Sequence, residues 1–340
     1  MQKQDPSHIM QVGFGFFGSK VLLTAVKLGL FTQLGERSMT GEELGSKLGL
    51  HKRGIYDFFD ALVALHFLER EGDGPGAKYK NTESTSTFLD QAQPSYIGGI
   101  FEMANDRLFR FWNNLEPALK TGVRQNEVKH GNQPFFETLY NEPLRLEQFI
   151  AAMRGVSAGN FSALAEKFNF SKYKTLCDVG GSSGVLSSLV AKRYPHIQCQ
   201  SFDLPIVEPI ARKYIERDGK SDQVEAVSGD FFKGPLPRAD VITMGMILHD
   251  WNLEDKMRLI HSAYQALPDG GAFIVIESLI DDVRRENAFG LMMSLNMLIE
   301  FGDAFDYSFA DFKGWCEKVG FKRFELLHLA GPYSAGIAYK

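Results

Sequence analysis

Cysteine is scarce in this chain of 340 residues: Cys177, Cys199 and Cys316 are the only three, and no two form a Cys-x-x-Cys pair. So small and scattered a set excludes a disulfide framework and a zinc site of the usual spacing, and it is typical of reduced, buried thiols. We therefore expect a cytoplasmic protein.

An excess of basic residues is also missing. The chain has 37 Lys and Arg against 42 Asp and Glu, which gives a formal net charge of −5. Because phosphate groups are bound by concentrated positive charge, this balance argues against a nucleic-acid partner.

No long apolar run is free of charge. The most apolar stretch, residues 12–31, is interrupted by Lys20 and Lys27, and no small-residue cleavage site follows it. We therefore expect a helix buried in protein, and neither a signal peptide nor a membrane span.

The first half of the chain has helical spacing, and its length favours two domains overall. Thr40, with Glu43 three residues later, forms a capping-box pattern ahead of a helix over 42–48, and a second helix is predicted over 52–65. Two short strands, 67–70 and 78–80, flank a Gly-rich turn and predict a hairpin.

Two short helices followed by a hairpin are typical of a winged helix. One interpretation is DNA binding, and the other is a helical scaffold or dimerisation module. The basic residues around the second helix are only His51, Lys52 and Arg53, so the charge favours the scaffold.

Residues 96–168 predict further helices with many aromatic and Met side chains. Such stripes usually form a core, although some could line an apolar pocket for a flat ligand. These side chains are Phe101, Met103, Phe109, Phe111, Trp112, Phe135, Phe136 and Met153.

From residue 175 onward, short apolar runs alternate with helical segments. This alternation predicts an α/β fold, in which a mostly parallel sheet is covered on both faces. An antiparallel pair is predicted at the end, over 323–328 and 335–339. We place the domain boundary so that the domains are 1–165 and 166–340. The other predicted strands are 175–179, 198–202, 224–227, 240–246 and 272–277.

The most informative segment is Asp178-Val-Gly-Gly-Ser-Ser-Gly184, between a predicted strand and a predicted helix. Glycines let a backbone approach a ligand closely, and a helix N-terminus offers free N–H donors. No register fits the dinucleotide pattern Gly-x-Gly-x-x-Gly. The pattern that fits is Asp-x-Gly-x-Ser-x-Gly, through Asp178, Gly180, Ser182 and Gly184. An acid at the strand end suits a cationic amino-acid cofactor better than a pyrophosphate.

Two more acids follow predicted strands. Asp203, 23 residues after Gly180, could accept both ribose hydroxyls of a nucleoside. Asp230 could meet an adenine amine, with Phe231 against the ring. One such acid is commonly a helix cap, but three at one sheet edge favour a nucleoside site.

His249 follows the fourth predicted strand, in the segment Ile247-Leu-His-Asp-Trp251. It is expected at the carboxyl edge of the sheet, beside the cofactor. A histidine that titrates near neutrality could take a proton there, although a lone histidine is more often structural.

Together these motifs resemble the small-molecule O-methyltransferase family, which includes plant caffeic acid enzymes, bacterial antibiotic enzymes and acetylserotonin O-methyltransferase. The resemblance extends over essentially the whole chain. It implies an N-terminal helical winged-helix dimerisation domain and a Rossmann-like class I methyltransferase sheet, mostly parallel with an antiparallel C-terminal hairpin. It also implies S-adenosyl-L-methionine as cofactor, S-adenosyl-L-homocysteine as product, a small aromatic substrate and a homodimer.

Carried over by position, the resemblance implies His249 as general base and Glu277 as the acid that orients its imidazole. Asp306 falls near a second such acid, although the loop 301–307 departs from the family's Gly-Gly pattern. Asn296 matches a substrate-contacting amide in the acetylserotonin enzyme. The implied cofactor contacts are Asp178, Gly180, Ser182, Gly184, Asp203, Leu204, Asp230, Phe231, Ser157 and Met244. The implied substrate contacts are Asn296, Met292, Met153, Asp250 and Trp112.

The chain departs from the family in one respect. Family members often carry Lys or Arg three or four residues before the histidine, where this chain has Met246 and Gly245. A cationic contact is therefore missing there or is supplied elsewhere. No carboxylate pattern like that of the magnesium-dependent catechol enzymes stands out, so we expect base catalysis without a metal.

Three functions follow from this pattern. The first is methylation of a phenolic or similar hydroxyl, and the second is methylation of carbon or nitrogen on the same scaffold. The third is a cofactor-sensing winged-helix regulator, against which the weak basic charge counts. The sequence does not define the acceptor itself.

Overall fold

The computed structural model describes residues 5–129 and 143–340. The chain divides into two compact units, Met1–Arg110 and Phe111–Lys340. The second unit therefore begins well before the sequence-based boundary at 165 and 166. Phe111 and Ala118 pack in one apolar cluster with Ile299, far along the chain. Helical periodicity predicted these helices but could not show which core they join.

The first unit joins short helices to a small antiparallel sheet. Thr40 caps the fourth helix with the predicted capping box, and β2 pairs with β3 as the predicted hairpin. The helices are α1 (Ser7–Gly13), α2 (Gly15–Lys27), α3 (Leu30–Leu34), α4 (Gly41–Lys47), α5 (Ile55–Ala64), α6 (Glu83–Phe88) and α7 (Gly98–Met103). The strands are β1 (Met39–Thr40), β2 (Leu68–Glu71) and β3 (Lys78–Asn81), in the order β1-β3-β2.

The sequence predicted an N-terminal helix buried in protein, but within the single chain the N-terminal helices are largely exposed. Helix α1 has no buried residue, and α2 buries only Leu23, Ala25 and Val26. By length and composition alone the stretch Ser7–Lys27 could cross a membrane, and only 17% of its most apolar part is buried within the chain. Its apolar side chains find few neighbours among the described residues. Those exposed are Ile9, Met10, Val12, Phe14, Phe16 and Phe17.

The second unit is built on one large sheet. A π-helical segment, Ala104–Leu108, belongs to the end of the first unit, and the helix that follows it, Phe109–Trp112, crosses the boundary between the units. The helices are α8 (Phe109–Trp112), α9 (Leu115–Thr121), α10 (Pro143–Lys167), α11 (Val185–Arg193), α12 (Glu208–Arg217), α13 (Leu253–Ala266), α14 (Ala288–Phe301) and α15 (Phe309–Val319). The strands are β4 (Thr175–Val179), β5 (Gln198–Asp203), β6 (Val224–Ser228), β7 (Val241–Gly245), β8 (Ala272–Glu277), β9 (Arg323–His328) and β10 (Ser334–Tyr339). Phe135 and Phe136 lie outside the described residues.

The order of the strands is β6-β5-β4-β7-β8-β10-β9. Strands β4 to β8 run parallel, and β10 is antiparallel to both β8 and β9. This is the predicted parallel sheet with an antiparallel C-terminal pair. From β4 to β6 successive strands are added on one side of β4, and from β7 onward they are added on the other side. The carboxyl ends of β4 and β7 therefore flank a topological switch point, where such sheets bind ligands.

Both faces of the sheet are covered by apolar layers. Leu176 of β4 packs with α10 and α11 residues such as Leu164 and Val190, whereas Cys177 faces α13 and α15. Successive residues of a buried strand thus serve opposite layers. All three cysteines are buried and free, as predicted.

Candidate active site

The loop after β4 has the backbone conformations that its glycines permit. Gly180 and Gly184 have φ values of +71° and +70°, and Ser182 between them has +52°. A Cβ at Gly180 would lie 2.2 Å from Ile247 Cδ1, and one at Gly184 would lie 2.8 Å from Ile215 Cγ1. Neither position has room for a side chain. Helix α11 begins directly after Gly184, so its free N–H groups lie at the sheet edge.

Asp178 and Asp203 anchor this loop. Thr243 Oγ1 donates to Asp178 Oδ1 at 2.7 Å, and burial raises the pKa of Asp178 to about 7. The backbone N–H groups of Ser182 and Leu204 donate to the two oxygens of Asp203 at 2.8 and 2.7 Å. Burial raises the pKa of Asp203 to about 6, and these two hydrogen bonds oppose the shift. Each Asp203 oxygen keeps a lone pair for a further donor.

Asp230 and Phe231 follow β6. The N–H of Phe232 donates to Asp230 Oδ1 at 2.9 Å, and Lys233 Nζ lies 2.9 Å from Oδ2. The ring of Phe231 meets Trp251 edge-on, with centroids 5.9 Å apart. The three acids predicted for the cofactor therefore lie at, or just after, the ends of the neighbouring strands β4, β5 and β6.

Helix α10 contributes a link to the same loop that the sequence did not reveal. Arg154 Nη2 donates to both carboxylate oxygens of Asp218, at 2.8 and 2.7 Å, and Nη1 lies 3.5 Å from Ser183 Oγ. Ser157, expected to contact the cofactor, is buried and donates to the carbonyl of Met153 at 2.6 Å. Its hydroxyl is thus engaged within its own helix.

Met244, a predicted cofactor contact, has its side chain in the protein core. Its side chain is fully buried in the apolar layer of β7 that faces α13. The next residue, Gly245, points to the other face, where a Cβ would lie 2.8 Å from the Phe161 ring. Alternation along the strand therefore places Met244 in the core, and Phe161 fills the space beside Gly245.

The imidazole of His249 is buried among three carboxylates. It lies in the short 3₁₀ turn Leu248–Asp250 that follows β7. Its Nδ1 is 3.3 Å from Asp306 Oδ1 and 3.9 Å from Glu277 Oε2, and its Nε2 is 3.4 Å from Asp250 Oδ1. The predicted trio of His249, Glu277 and Asp306 is brought together, with Asp306 at the shorter distance. Asp250 lies beside the other nitrogen.

The charges around this imidazole shift its titration. Burial lowers the pKa of His249, but the negative charges of Glu277, Asp250 and Asp306 raise it by more than burial lowers it. The resulting pKa is about 10. Burial raises the pKa of Glu277 to about 7 and that of Asp250 to about 6, and in both cases the imidazole opposes the shift. The site is therefore a strongly negative environment that favours an imidazolium.

Two buried polar side chains beside this cluster were not predicted. The Tyr307 hydroxyl donates to Glu277 Oε1 at 3.5 Å, and burial raises the pKa of Tyr307 well above its usual range. Lys256 has no exposed surface and donates to the carbonyl of Trp251. Its ammonium lies 3.7 Å from the centre of the Phe305 ring.

The sequence held a signal for Lys256. Leu259, Ile260 and Ala263 follow it by three, four and seven residues and are fully buried, so Lys256 lies on the apolar face of α13. A lysine at such a position is rarely left without a compensating charge.

Two of the predicted substrate contacts, Trp112 and Asn296, are joined by a hydrogen bond, and the two methionines lie on separate helices. Trp112 Nε1 donates to Asn296 Oδ1 at 2.9 Å. Because an indole N–H can only donate, the amide oxygen must face Trp112, and the amide nitrogen remains as a donor. Met292 lies one turn earlier on α14 and is half exposed, and Met153 on α10 is half-buried.

Comparison with known proteins decides the family. Residues 112–322 match the O-methyltransferase domain, and residues 10–91 match the O-methyltransferase dimerisation domain. The chain belongs to the O-methyltransferase family.

Relatives of this O-methyltransferase cover its full length. It is 38% identical to the tetracenomycin polyketide synthesis 8-O-methyl transferase TcmO of Streptomyces glaucescens, over 98% of this chain and 97% of that protein. It is 30% identical to the N,N-dimethyltransferase OxyT of Streptomyces rimosus, over 92% and 90%. Its fold matches human N-acetylserotonin methyltransferase in complex with SAM, with a TM-score of 0.90, 28% identity and coverage of 100% and 99%. The predicted fold, enzyme class and cofactor are thereby confirmed.

The residues of this O-methyltransferase fit S-adenosylmethionine chemically. Asp203 retains acceptor capacity for ribose hydroxyls, and the acids at three strand ends suit a cofactor that carries a cationic sulfur and an ammonium group. The close-packed glycines of the loop bring backbone N–H groups to the same edge. The individual contacts of Asp178, Asp203 and Asp230 remain our prediction.

The ligand atoms of the imidazole trio lie within 4.8 Å of one another. We propose that this spacing serves to orient the ring, because Asp306 Oδ1 lies 3.3 Å from Nδ1, within ion-pair distance of a protonated imidazole. Metal-free catalysis stays a prediction, and turnover after dialysis against a chelator, with and without added magnesium, tests it.

Proposed function

We propose that this enzyme methylates a hydroxyl of a small aromatic acceptor, with His249 as the general base. The observation that carries the proposal is a buried imidazole at the carboxyl edge of the sheet, whose Nδ1 lies 3.3 Å from Asp306 Oδ1. S-adenosylmethionine, when bound, supplies an electrophilic methyl group on a positively charged sulfur. The protein's own task is to align the acceptor and to remove its proton.

The acids around the ring decide which nitrogen accepts that proton. Asp306 and Glu277 both face Nδ1, so the ring keeps its proton there and Nε2 is the basic atom. Asp250 borders Nε2 and stabilises the imidazolium that forms when the acceptor's proton arrives. Asp306 and Glu277 are thus positioning residues that fix the tautomer.

The raised pKa suits a phenol. A phenolic hydroxyl titrates near ~10, so an ordinary imidazole with a pKa near ~6.5 is a weak base toward it. With the pKa of His249 raised to about 10, the proton moves between groups of similar affinity. Matched affinities lower the barrier to transfer, at the cost of a larger protonated fraction near neutral pH.

Trp112 and Asn296 are proposed to orient the acceptor ring. The indole N–H fixes the amide so that its nitrogen donates, and an acceptor with a carbonyl oxygen near its hydroxyl satisfies that donor. Met292 and Met153 add apolar surface that adapts to a flat ring. Since TcmO acts in tetracenomycin polyketide synthesis, we propose phenolic polyketides as the acceptor class.

The test is His249→Gln, with S-adenosylhomocysteine binding measured by calorimetry and turnover measured on a panel of hydroxylated aromatics. We expect the dissociation constant to stay within about threefold and turnover to fall at least ~100-fold, the usual contribution of a general base. Unchanged turnover in a folded variant that binds the product would reject His249 as the base.

Methylation of nitrogen is the second candidate, favoured by the likeness to OxyT, whose name describes an N,N-dimethyltransferase. A neutral amine attacks through its own lone pair, so removal of the base should cost it less than it costs a phenol. Mass spectrometry and NMR of the products, with matched phenol and aniline acceptors, separate the two candidates.

We also propose that the exposed apolar side of α1 and α2 forms the interface of a homodimer. Residues 10–91 match a dimerisation domain, and Phe14, Phe16 and Phe17 are about half exposed in the single chain. A contiguous apolar surface of this kind is typical of a protein interface.

A further inference from the structure

A lysine without exposed surface lies next to the acids of the proposed catalytic site. Among the described residues, the carbonyl of Trp251 accepts one of its ammonium hydrogens, and the rings of Phe305 and Tyr307 lie 3.7 and 5.8 Å from Nζ. One carbonyl and two ring faces replace little of the hydration that a buried ammonium loses. A further source of stabilisation is therefore required.

The surrounding carboxylates provide that stabilisation. Burial lowers the pKa of Lys256 to about 8, and the charges of Glu277, Asp306, Asp250 and Asp303 oppose this shift. The first three of these acids are the ones that surround His249. Lys256 and the imidazole therefore interact with the same negative charges.

The balance of charges around His249 explains why the protonation of its imidazole depends on Lys256. When all three are ionised, Asp250, Glu277 and Asp306 place three negative charges around the ring, and such a cluster holds a proton on it. Other titratable groups that interact with the cluster are acidic or phenolic: Glu300 acts on Asp250, Asp303 acts on Lys256, and the Tyr307 hydroxyl donates to Glu277. Within residues 5–129 and 143–340, Lys256 is the buried cation of this cluster.

The chain has no cation immediately before the histidine. The residues there are Gly245 and Met246, and the Phe161 ring fills the space into which a side chain at 245 would project. We propose that Lys256 supplies the compensating cation, as a positioning residue whose charge lets His249 give up its resting proton. This inference rests on the proposed role of His249 as base.

The experiment removes the charge while keeping a donor for Trp251. Lys256→Gln does this, Lys256→Met removes both, and Lys256→Arg keeps the charge. Lys340→Gln is the matched control, because Lys340 also donates to backbone carbonyls, of Tyr264 and Leu267, and lies 4.4 Å from the Tyr264 ring. The readouts are the pH profile of kcat/KM and the affinity for S-adenosylhomocysteine.

Loss of a positive charge raises the pKa of a nearby imidazole. Lys256 carries its charge only below its pKa of about 8. We therefore expect kcat/KM of Lys256→Gln to fall about tenfold at pH 7 and to converge with the wild-type value at higher pH. Product affinity should stay within about threefold. Lys256→Arg and Lys340→Gln should keep the wild-type profile.

Two results would overturn the inference. One is a folded Lys256→Gln that binds product and has the wild-type pH profile. The other is loss of folding in Lys256→Gln and Lys256→Met while Lys256→Arg and Lys340→Gln stay folded, because the lysine would then serve the fold. Failure of His249 as base is recognised separately, by turnover that survives in His249→Gln.

Discussion

The atoms that contact the His249 ring determine how the enzyme should respond to pH. The base must be neutral to accept a proton, and its pKa lies above the ordinary value because of the three neighbouring acids. We therefore expect kcat/KM to rise about tenfold per pH unit from pH 6 toward the pKa, and to level only at alkaline pH. A profile that is flat between pH 6 and 9 would contradict the proposal.

Asp306 and Glu277 contact the ring unequally, which gives a second prediction. Asp306 Oδ1 lies 3.3 Å from Nδ1, whereas Glu277 Oε2 lies 3.9 Å from the same nitrogen. Asp306→Asn should therefore lower kcat about 100-fold, and Glu277→Gln about tenfold, with little change in cofactor affinity. Steady-state kinetics of both variants decide the order, and a larger loss in Glu277→Gln would reverse our assignment.

Single residues also show the limits of sequence reasoning. The sequence predicted His249, Glu277 and the acids after β4, β5 and β6, because each stands in a local motif. It did not predict Arg154 or Lys256, whose partners lie on other elements. Helical spacing places Lys256 on the apolar face of α13, but the groups that compensate its charge lie on other elements, and spacing along the chain does not identify them.

Between elements, the ion pair of Arg154 and Asp218 joins α10 to the segment after α12 and approaches Ser183 of the cofactor loop. Both side chains are largely buried, with 17% and 20% of their surface exposed. Arg154→Leu should therefore weaken binding of S-adenosylhomocysteine about fivefold or more while the KM of the acceptor changes little.

The same two helices offer a matched control. Lys213 of α12 pairs with Glu147 of α10 at 2.5 Å, but the lysine is 71% exposed. An exposed pair contributes little, so Lys213→Leu should leave product affinity unchanged. Equal effects of the two substitutions in calorimetry would show that the buried pair has no special role.

The order of strands and helices after residue 175 was predicted nearly completely, since buried parallel strands give short apolar runs between helices. Helices α14 and α15 were not predicted. Helix α14 is apolar on most sides and begins at Ala288 without a strong periodic pattern, so the amphipathic signal that reveals a surface helix is weak there.

For the whole molecule, the main difference from expectation is the N-terminal segment. Its composition correctly predicted a helix, but composition cannot say whether the covering surface belongs to the same chain. The boundary between the units likewise depends on packing that helical periodicity does not encode. A cytoplasmic location stays a prediction.

The proposed dimer gives a prediction at this scale. Phe17 is 58% exposed in the single chain, and a charge there would be buried in the interface. Phe17→Glu should convert a dimer into a monomer in light scattering, with the helical content of the catalytic unit unchanged. Leu119 is similarly exposed, at 60%, but lies outside α1 and α2. Leu119→Glu is therefore the control, and it should remain dimeric.

The acid cluster around His249 also has a consequence for heat resistance. Folding raises the pKa of Asp250, of Glu277 and of His249 itself, so the folded protein holds more protons than the unfolded chain from about pH 4 to 8. Resistance to unfolding therefore declines as pH rises through that window, and the lowered pKa of Lys256 opposes the decline only above about pH 8. The enzyme should keep longest in mildly acidic storage, where it turns over slowest.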